Sequence, residues 1–98
     1  MATEKALRDD LRKHLAQFRY ICWFSRRMKF VKEQDIFGIY DFVYVRDDEV
    51  RMGQFTTLSN KSSHVKKITD YKKLYGLYHE SDLWLWDSKK KEWTCEVF

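Results

Sequence analysis

The 98-residue sequence contains no proline and only three glycines, and it has no Gly-rich loop of the kind that cradles phosphate groups. Its two cysteines, Cys22 and Cys95, sit in strand-like apolar surroundings without CxxC or Cys/His spacing. That argues against a zinc site and predicts reduced core thiols rather than a disulfide. The histidines, His14, His64 and His79, share no metal-ligand spacing, and the chain has no Ser/His/Asp triad and no internal repeat. No run approaches the roughly 20 apolar residues of a membrane span. The first residues have the pattern of a charged helix, not of a signal peptide. An intracellular, cytoplasmic protein with no membrane segment is expected.

What the sequence has is aromatic residues and segregated charge. A chain of this length forms a single domain, residues 1–98, and buries only about 60 to 65 per cent of its unfolded surface. Four Trp, six Tyr and seven Phe supply the compact core it needs. The net charge of +4 is unevenly distributed. Residues 1 to 34 carry nine basic and four acidic side chains, 35 to 57 two and five, 58 to 79 five and one, and 80 to 98 three and five. An acidic segment between basic ones suits a protein whose carboxylates hold a cation while Lys and Arg neutralise phosphates. Solvated charged faces give the same tally.

The acidic segment reads as two strands. Ile39, Asp41, Val43 and Val45 alternate on one, and Val50, Met52, Gln54 and Thr56 on the next, the period of half-buried strands. A loop at Asp47-Asp48 opposes Arg46 to Glu49, Val45 to Val50, Val43 to Met52 and Asp41 to Gln54. Opposed residues have Cβ atoms roughly 4.5 to 5.5 Å apart, so a carboxylate and a carboxamide would stand side by side at one end of an apolar ribbon. Either the two satisfy each other and nearby backbone groups, or they offer the hard oxygens that Mg²⁺ prefers.

Around this hairpin the remaining elements fall in order. Leu7, Leu11, Leu15 and Phe18 recur at helical spacing behind a Thr3 cap, with Glu4 in the first turn where the helix dipole favours an acid. Residues 19–25 are rich in strand formers. A basic connection follows, containing Arg26, Arg27 and Lys29, before the turn from Asp35 to Gly38. Ser62 or Ser63 caps a second helix that Gly76 stops. Its inner side carries Val65, Ile68, Tyr71 or Lys72, and Tyr75, with Lys66, Lys67, Lys72 and Lys73 mostly on its rim. Residues 83–86 and 92–98 form a closing hairpin whose Trp84, Trp86 and Trp93 are assigned to core or dimer packing ahead of base stacking. The fold class is α/β, in the order α-β-β-β-α-β-β, with a mixed sheet flanked by the helices.

The stretches Asp35-Ile-Phe-Gly38, Tyr40-Asp-Phe-Val43 and Gln54-Phe-Thr-Thr57 together resemble the core of the PD-(D/E)XK nuclease superfamily, in the branch similar to archaeal Holliday-junction resolvases. The likeness runs from the leading helix through Leu83-Trp-Leu-Trp-Asp87. It implies a restriction-endonuclease-like α-β-β-β-α-β core with a C-terminal β-hairpin, and hydrolysis of DNA phosphodiesters with Mg²⁺ or Mn²⁺. The implied metal ligands are Asp41, the Phe55 carbonyl, Gln54 and Glu4, the last matching a glutamate on the family's first helix. The implied DNA contacts are Arg26, Arg27 and Lys29, joined by Lys72 and Lys73 on the helix rim.

One position departs from the family. Its motif ends in Glu or Gln, any residue, then a Lys that orients the attacking water and offsets charge on the phosphate, whereas here Thr56 stands at the lysine's place. Lys66 and Lys67 on the second helix are the substitutes, because some family members carry the lysine there. The resulting expectation is a structure-specific, resolvase-like endonuclease acting on double-stranded or branched DNA as a homodimer. The alternatives are a catalytically silent DNA-binding module, or a small interaction subunit using the aromatic C-terminal hairpin.

Overall fold

A computed structural model describes residues 3–25, 39–77 and 79–98. The elements are α1 (Glu4–Ala16), β1 (Ile21–Phe24), β2 (Phe42–Arg46), β3 (Glu49–Thr57), a 3₁₀ turn (Leu58–Asn60), α2 (Lys61–Tyr75), β4 (Asp82–Asp87) and β5 (Glu92–Val97). The protein is thus mixed α/β, and its described residues form one five-stranded sheet in the order β1-β2-β3-β4-β5 and two α-helices. Only β3 and β4 run parallel; the other neighbouring pairs are antiparallel. No described helix is long and apolar enough to cross a membrane.

Thr3 caps α1 as its sequence predicts, its hydroxyl accepting the Ala6 N–H at 3.1 Å. The stripe Leu7, Leu11, Leu15 lies on one sheet face against Cys22, Phe24, Phe42, Tyr44, Phe55 and Trp93. Trp84 and Trp86 pack against the same cluster, so these tryptophans belong to the core side of the sheet. Polar ties fix the helix on it: Trp93 Nε1 donates to Asp10 at 2.7 Å and Arg12 Nη1 to the Cys22 carbonyl at 3.0 Å. Cys22 is buried, Cys95 is exposed, and both are free thiols.

The opposite face carries a second cluster, in which Ile68 of α2 meets Ile39, Tyr40, Leu83 and Leu85, with Val65 and Tyr71 at its margin. Alternation along β4 places Leu83 and Leu85 on this face and Trp84 and Trp86 on the other, so each helix covers its own side of the sheet. Tyr75, predicted to face inward, is instead 62% exposed, its ring 4.7 Å from that of Tyr71. Gly76 ends the helix in the left-handed region at φ 62°, as expected. Neither Ser62 nor Ser63 caps the start: the 3₁₀ turn makes Asn60 the boundary residue, and Ser63 Oγ donates to the Asn60 carbonyl at 3.0 Å.

The central hairpin has the predicted pairs Arg46 with Glu49, Val45 with Val50 and Val43 with Met52. Asp47 makes the turn possible by adopting φ 52°, a conformation Asp tolerates better than most residues. Gly53 pairs with Phe42 on one side and Asp82 on the other. A Cβ at Gly53 would stand 2.3 Å from the Asp82 carbonyl oxygen, so only glycine allows the two backbones to approach this closely. Gly53→Ala should destabilise the fold by about 1–3 kcal/mol, the usual penalty of overpacking, read as a lower urea midpoint.

Candidate functional site

Beyond the Phe42–Gly53 pair the hairpin stops behaving as the alternation predicts. Asp41 lies in a bend, and its N–H donates to the Gly53 carbonyl at 2.9 Å instead of exchanging bonds with Gln54. Its own carbonyl accepts both the Ser25 N–H at 2.9 Å and the Ser25 hydroxyl at 3.0 Å. Its carboxylate accepts the Phe55 N–H at 3.2 Å. Asp41 is therefore held by Ser25, just past β1, and by two points of β3, and its carboxyl group is fixed at the edge of an open cleft.

That cleft, of about 350 Å³, is lined by Glu4, Leu7, Asp41, Phe55, Thr56, Thr57, Asn60, His64 and Lys67. Each charged member arrives on a different element: Glu4 on the first turn of α1, Asp41 on the bend before β2, and Lys67 on α2. The strand end Phe55–Thr57 supplies the floor between them.

Of the candidate residues, Glu4, Asp41, Phe55 and Lys67 thus meet in one place. Lys66 does not: its ammonium is exposed and pairs with Asp70 one turn along the helix at 2.5 Å. A step of about 100° per helical residue separates the two neighbours. Gln54 is wholly buried and does not line the cleft. Its Nε2 donates to the Ile39 carbonyl at 2.6 Å and its Oε1 lies 2.7 Å from His64 Nδ1, so both amide atoms are engaged in positions other than that of a ligand. Lys72 Nζ donates to the carbonyls of His79 and Phe98, which ties α2 to the end of the chain rather than leaving it for phosphate. Lys73 is exposed. Arg26, Arg27, Lys29, Asp35 and Gly38 lie outside the described residues.

The group that sequence spacing did not single out is His64. It shares no ligand spacing with another His or Cys; its partner is ten residues back on a strand. The signal was a polar Gln on the buried face of a central strand, which needs a partner for its amide. Burial, and then the Lys67 ammonium, hold the His64 imidazole below its ordinary pKa, so the neutral ring is favoured.

The polar side chains lining the cleft are those of Glu4, Asp41, Thr56, Thr57, Asn60, His64 and Lys67. Among the described residues no three His, Cys, Asp or Glu side chains form a metal-holding group. Mg²⁺ is commonly held by one or two carboxylates, several waters and a substrate phosphate, and Glu4 with Asp41 fits that requirement. Comparison with family models, curated proteins and solved structures finds no match to this chain.

The His64 environment has a consequence for stability. The unfolded chain takes up its proton near the ordinary value of about 6.5, whereas folded His64 resists protonation until lower pH. The unfolded state therefore binds more protons below pH about 6.5, and folding stability falls as pH drops through that window. Urea midpoints should decline on acidification from pH 7 to 5, and by less in His64→Asn, which keeps an amide donor for Gln54 but does not titrate.

Proposed function

We propose that the protein is a metal-dependent endonuclease of the PD-(D/E)XK kind, cutting DNA phosphodiesters with resolvase-like preference for branched substrates. The observation that carries this reading is the meeting of Glu4, Asp41 and Lys67, from three separate elements, in one open cleft at the end of β3. Two carboxylates and an ammonium are the complement of a cation and a phosphate diester.

Glu4 and Asp41 would hold Mg²⁺ or Mn²⁺, which supplies Lewis-acid activation and neutralises phosphate charge. Asp41 is suited to that task because the Phe55 N–H and the Ser25 hydrogen bonds fix it before any ligand arrives. Lys67 takes the place of the motif lysine that Thr56 lacks, offsetting charge that develops on the phosphate. The exposed Lys66 and Lys73 carry backbone contacts, each a small part of the electrostatic attraction to DNA.

A row of apolar side chains on the sheet face away from α1 supports the homodimer. Ile21 pairs with Val45, Trp23 with Val43 and Val45 with Val50. Ile21, Trp23 and Val50 are 74%, 56% and 67% exposed, and β1 is an edge strand, so a second copy could cover this row through a two-fold contact. Light scattering should give the mass of two chains, and Trp23→Lys should reduce it to one.

Linear, flapped and four-way-junction DNA with Mg²⁺ or Mn²⁺ test the activity. Asp41→Ala should abolish cleavage. Lys67→Met should slow it by about 100-fold, the scale of losing one positioned charge-stabilising group, with little loss of DNA binding. Lys66→Met should cleave normally and bind slightly more weakly. Binding without cleavage on every substrate would favour the silent DNA-binding module, a reading to which the burial of Gln54 already lends weight.

A further inference from the structure

We propose that His64 is the proton acceptor of the cleft, held by Gln54 as the Nδ1–H tautomer so that Nε2 offers its lone pair to the attacking water. This role rests on the hydrolase reading above and names a catalytic group that reading leaves open.

The hydrogen bonds decide the tautomer. The Ile39 carbonyl can only accept, so the Gln54 atom 2.6 Å from it is the NH₂ nitrogen. The amide oxygen then faces His64, and an amide oxygen also only accepts, so Nδ1 at 2.7 Å must carry the hydrogen. A neutral imidazole has one N–H, which leaves Nε2 as a bare acceptor. Gln54 is wholly buried and absent from the cleft wall, whereas His64 is part of it. The Nδ1 side of the ring therefore faces the interior, and the edge bearing Nε2 is the one left to the cleft. The lowered affinity of the ring for protons, caused first by burial and then by Lys67, agrees with this assignment.

The charged groups facing the same cleft are Glu4 from α1, Asp41 from the bend before β2 and Lys67 from α2. As the water oxygen forms its bond to phosphorus, one O–H bond breaks and the proton passes to Nε2. The opposite P–O bond breaks with its electron pair, the departing alkoxide takes a proton from solvent, and His64 returns its own proton to solvent. Gln54 is a positioning residue, acting only through the ring it orients.

The test has two arms. Long-range ¹H–¹⁵N correlation NMR on the wild-type protein at pH 7.5 should show a protonated Nδ1 and a bare Nε2, and Gln54→Met should lose that bias. In single-turnover cleavage of four-way-junction and linear DNA with Mg²⁺, His64→Asn should keep its melting temperature and cut about 100-fold more slowly, the lower end of what a positioned general base contributes. Added imidazoles should restore cutting to His64→Gly in proportion to their basicity, which a structural cavity-filling effect would not produce. Wild-type rates in His64→Asn, or an Nε2–H tautomer in an active wild-type enzyme, overturn this role and leave the hydrolase reading standing. A wild-type protein that cuts neither DNA removes the hydrolase reading and this role together, and the NMR arm still reports how Gln54 holds the ring.

Discussion

A carboxylate only 1% exposed, Asp82 at the start of β4, is the constraint around which the sheet is assembled. An ionised carboxylate in that position must be paired, and the partners come from neighbouring strands. Arg51 of β3 grips it with two bonds, Nε to Oδ2 and Nη2 to Oδ1, each 2.6 Å. The Tyr44 hydroxyl of β2 donates to it as well, and Trp84 Nε1 in turn donates to that hydroxyl at 3.1 Å. Burial first, then the bond to Asp82, raise the Tyr44 pKa, so the phenol stays protonated and keeps donating. Removing one partner from such a set leaves a buried charge uncompensated, a loss of about 3–5 kcal/mol in comparable pairs.

This network lies where pairing is hardest to secure. β3 and β4 are parallel, so they meet only after the chain has passed through the 3₁₀ turn and α2. Gly53 facing Asp82 fixes the register at one end by admitting no side chain, and Arg51 fixes it by charge. With that register set, Phe55, Thr56 and Thr57 fall at the far end of the pairing, where they floor the cleft. The geometry of the site is thus inherited from an ion pair that has no part in it.

Local signals in the sequence carried the element order and most of the hairpin. Alternation gave Val43 opposite Met52 and Val45 opposite Val50, the Thr3 cap and the Gly76 stop followed from their own chemistry, and the leucine stripe located α1. What alternation did not carry was the bend at Asp41, because it arises from a tertiary choice: the Asp41 N–H finds the Gly53 carbonyl, and Ser25 takes the Asp41 carbonyl. The backbone partner of Gln54 agrees with the reading in which nearby backbone groups satisfy the polar pair, whereas its second partner, His64 of α2, was not legible in the strand pattern. Period-2 reading treats each strand as having one wet face, but β3 lies mid-sheet, with α1 covering one side and α2 the other. The choice between Lys66 and Lys67 needed the actual rotation of α2 against the sheet.

The cleft draws its charged groups from the first helical turn, from a bend near the middle of the sequence and from the helix that bridges the parallel strands. No contiguous stretch of the chain contains it. A nascent chain, a proteolytic half or a partly unfolded molecule holds the same residues scattered beyond reach of one another, and so carries none of the cleft's chemistry. The assembled cleft is in that sense a report of completed folding, and a misassembled copy lacks it altogether.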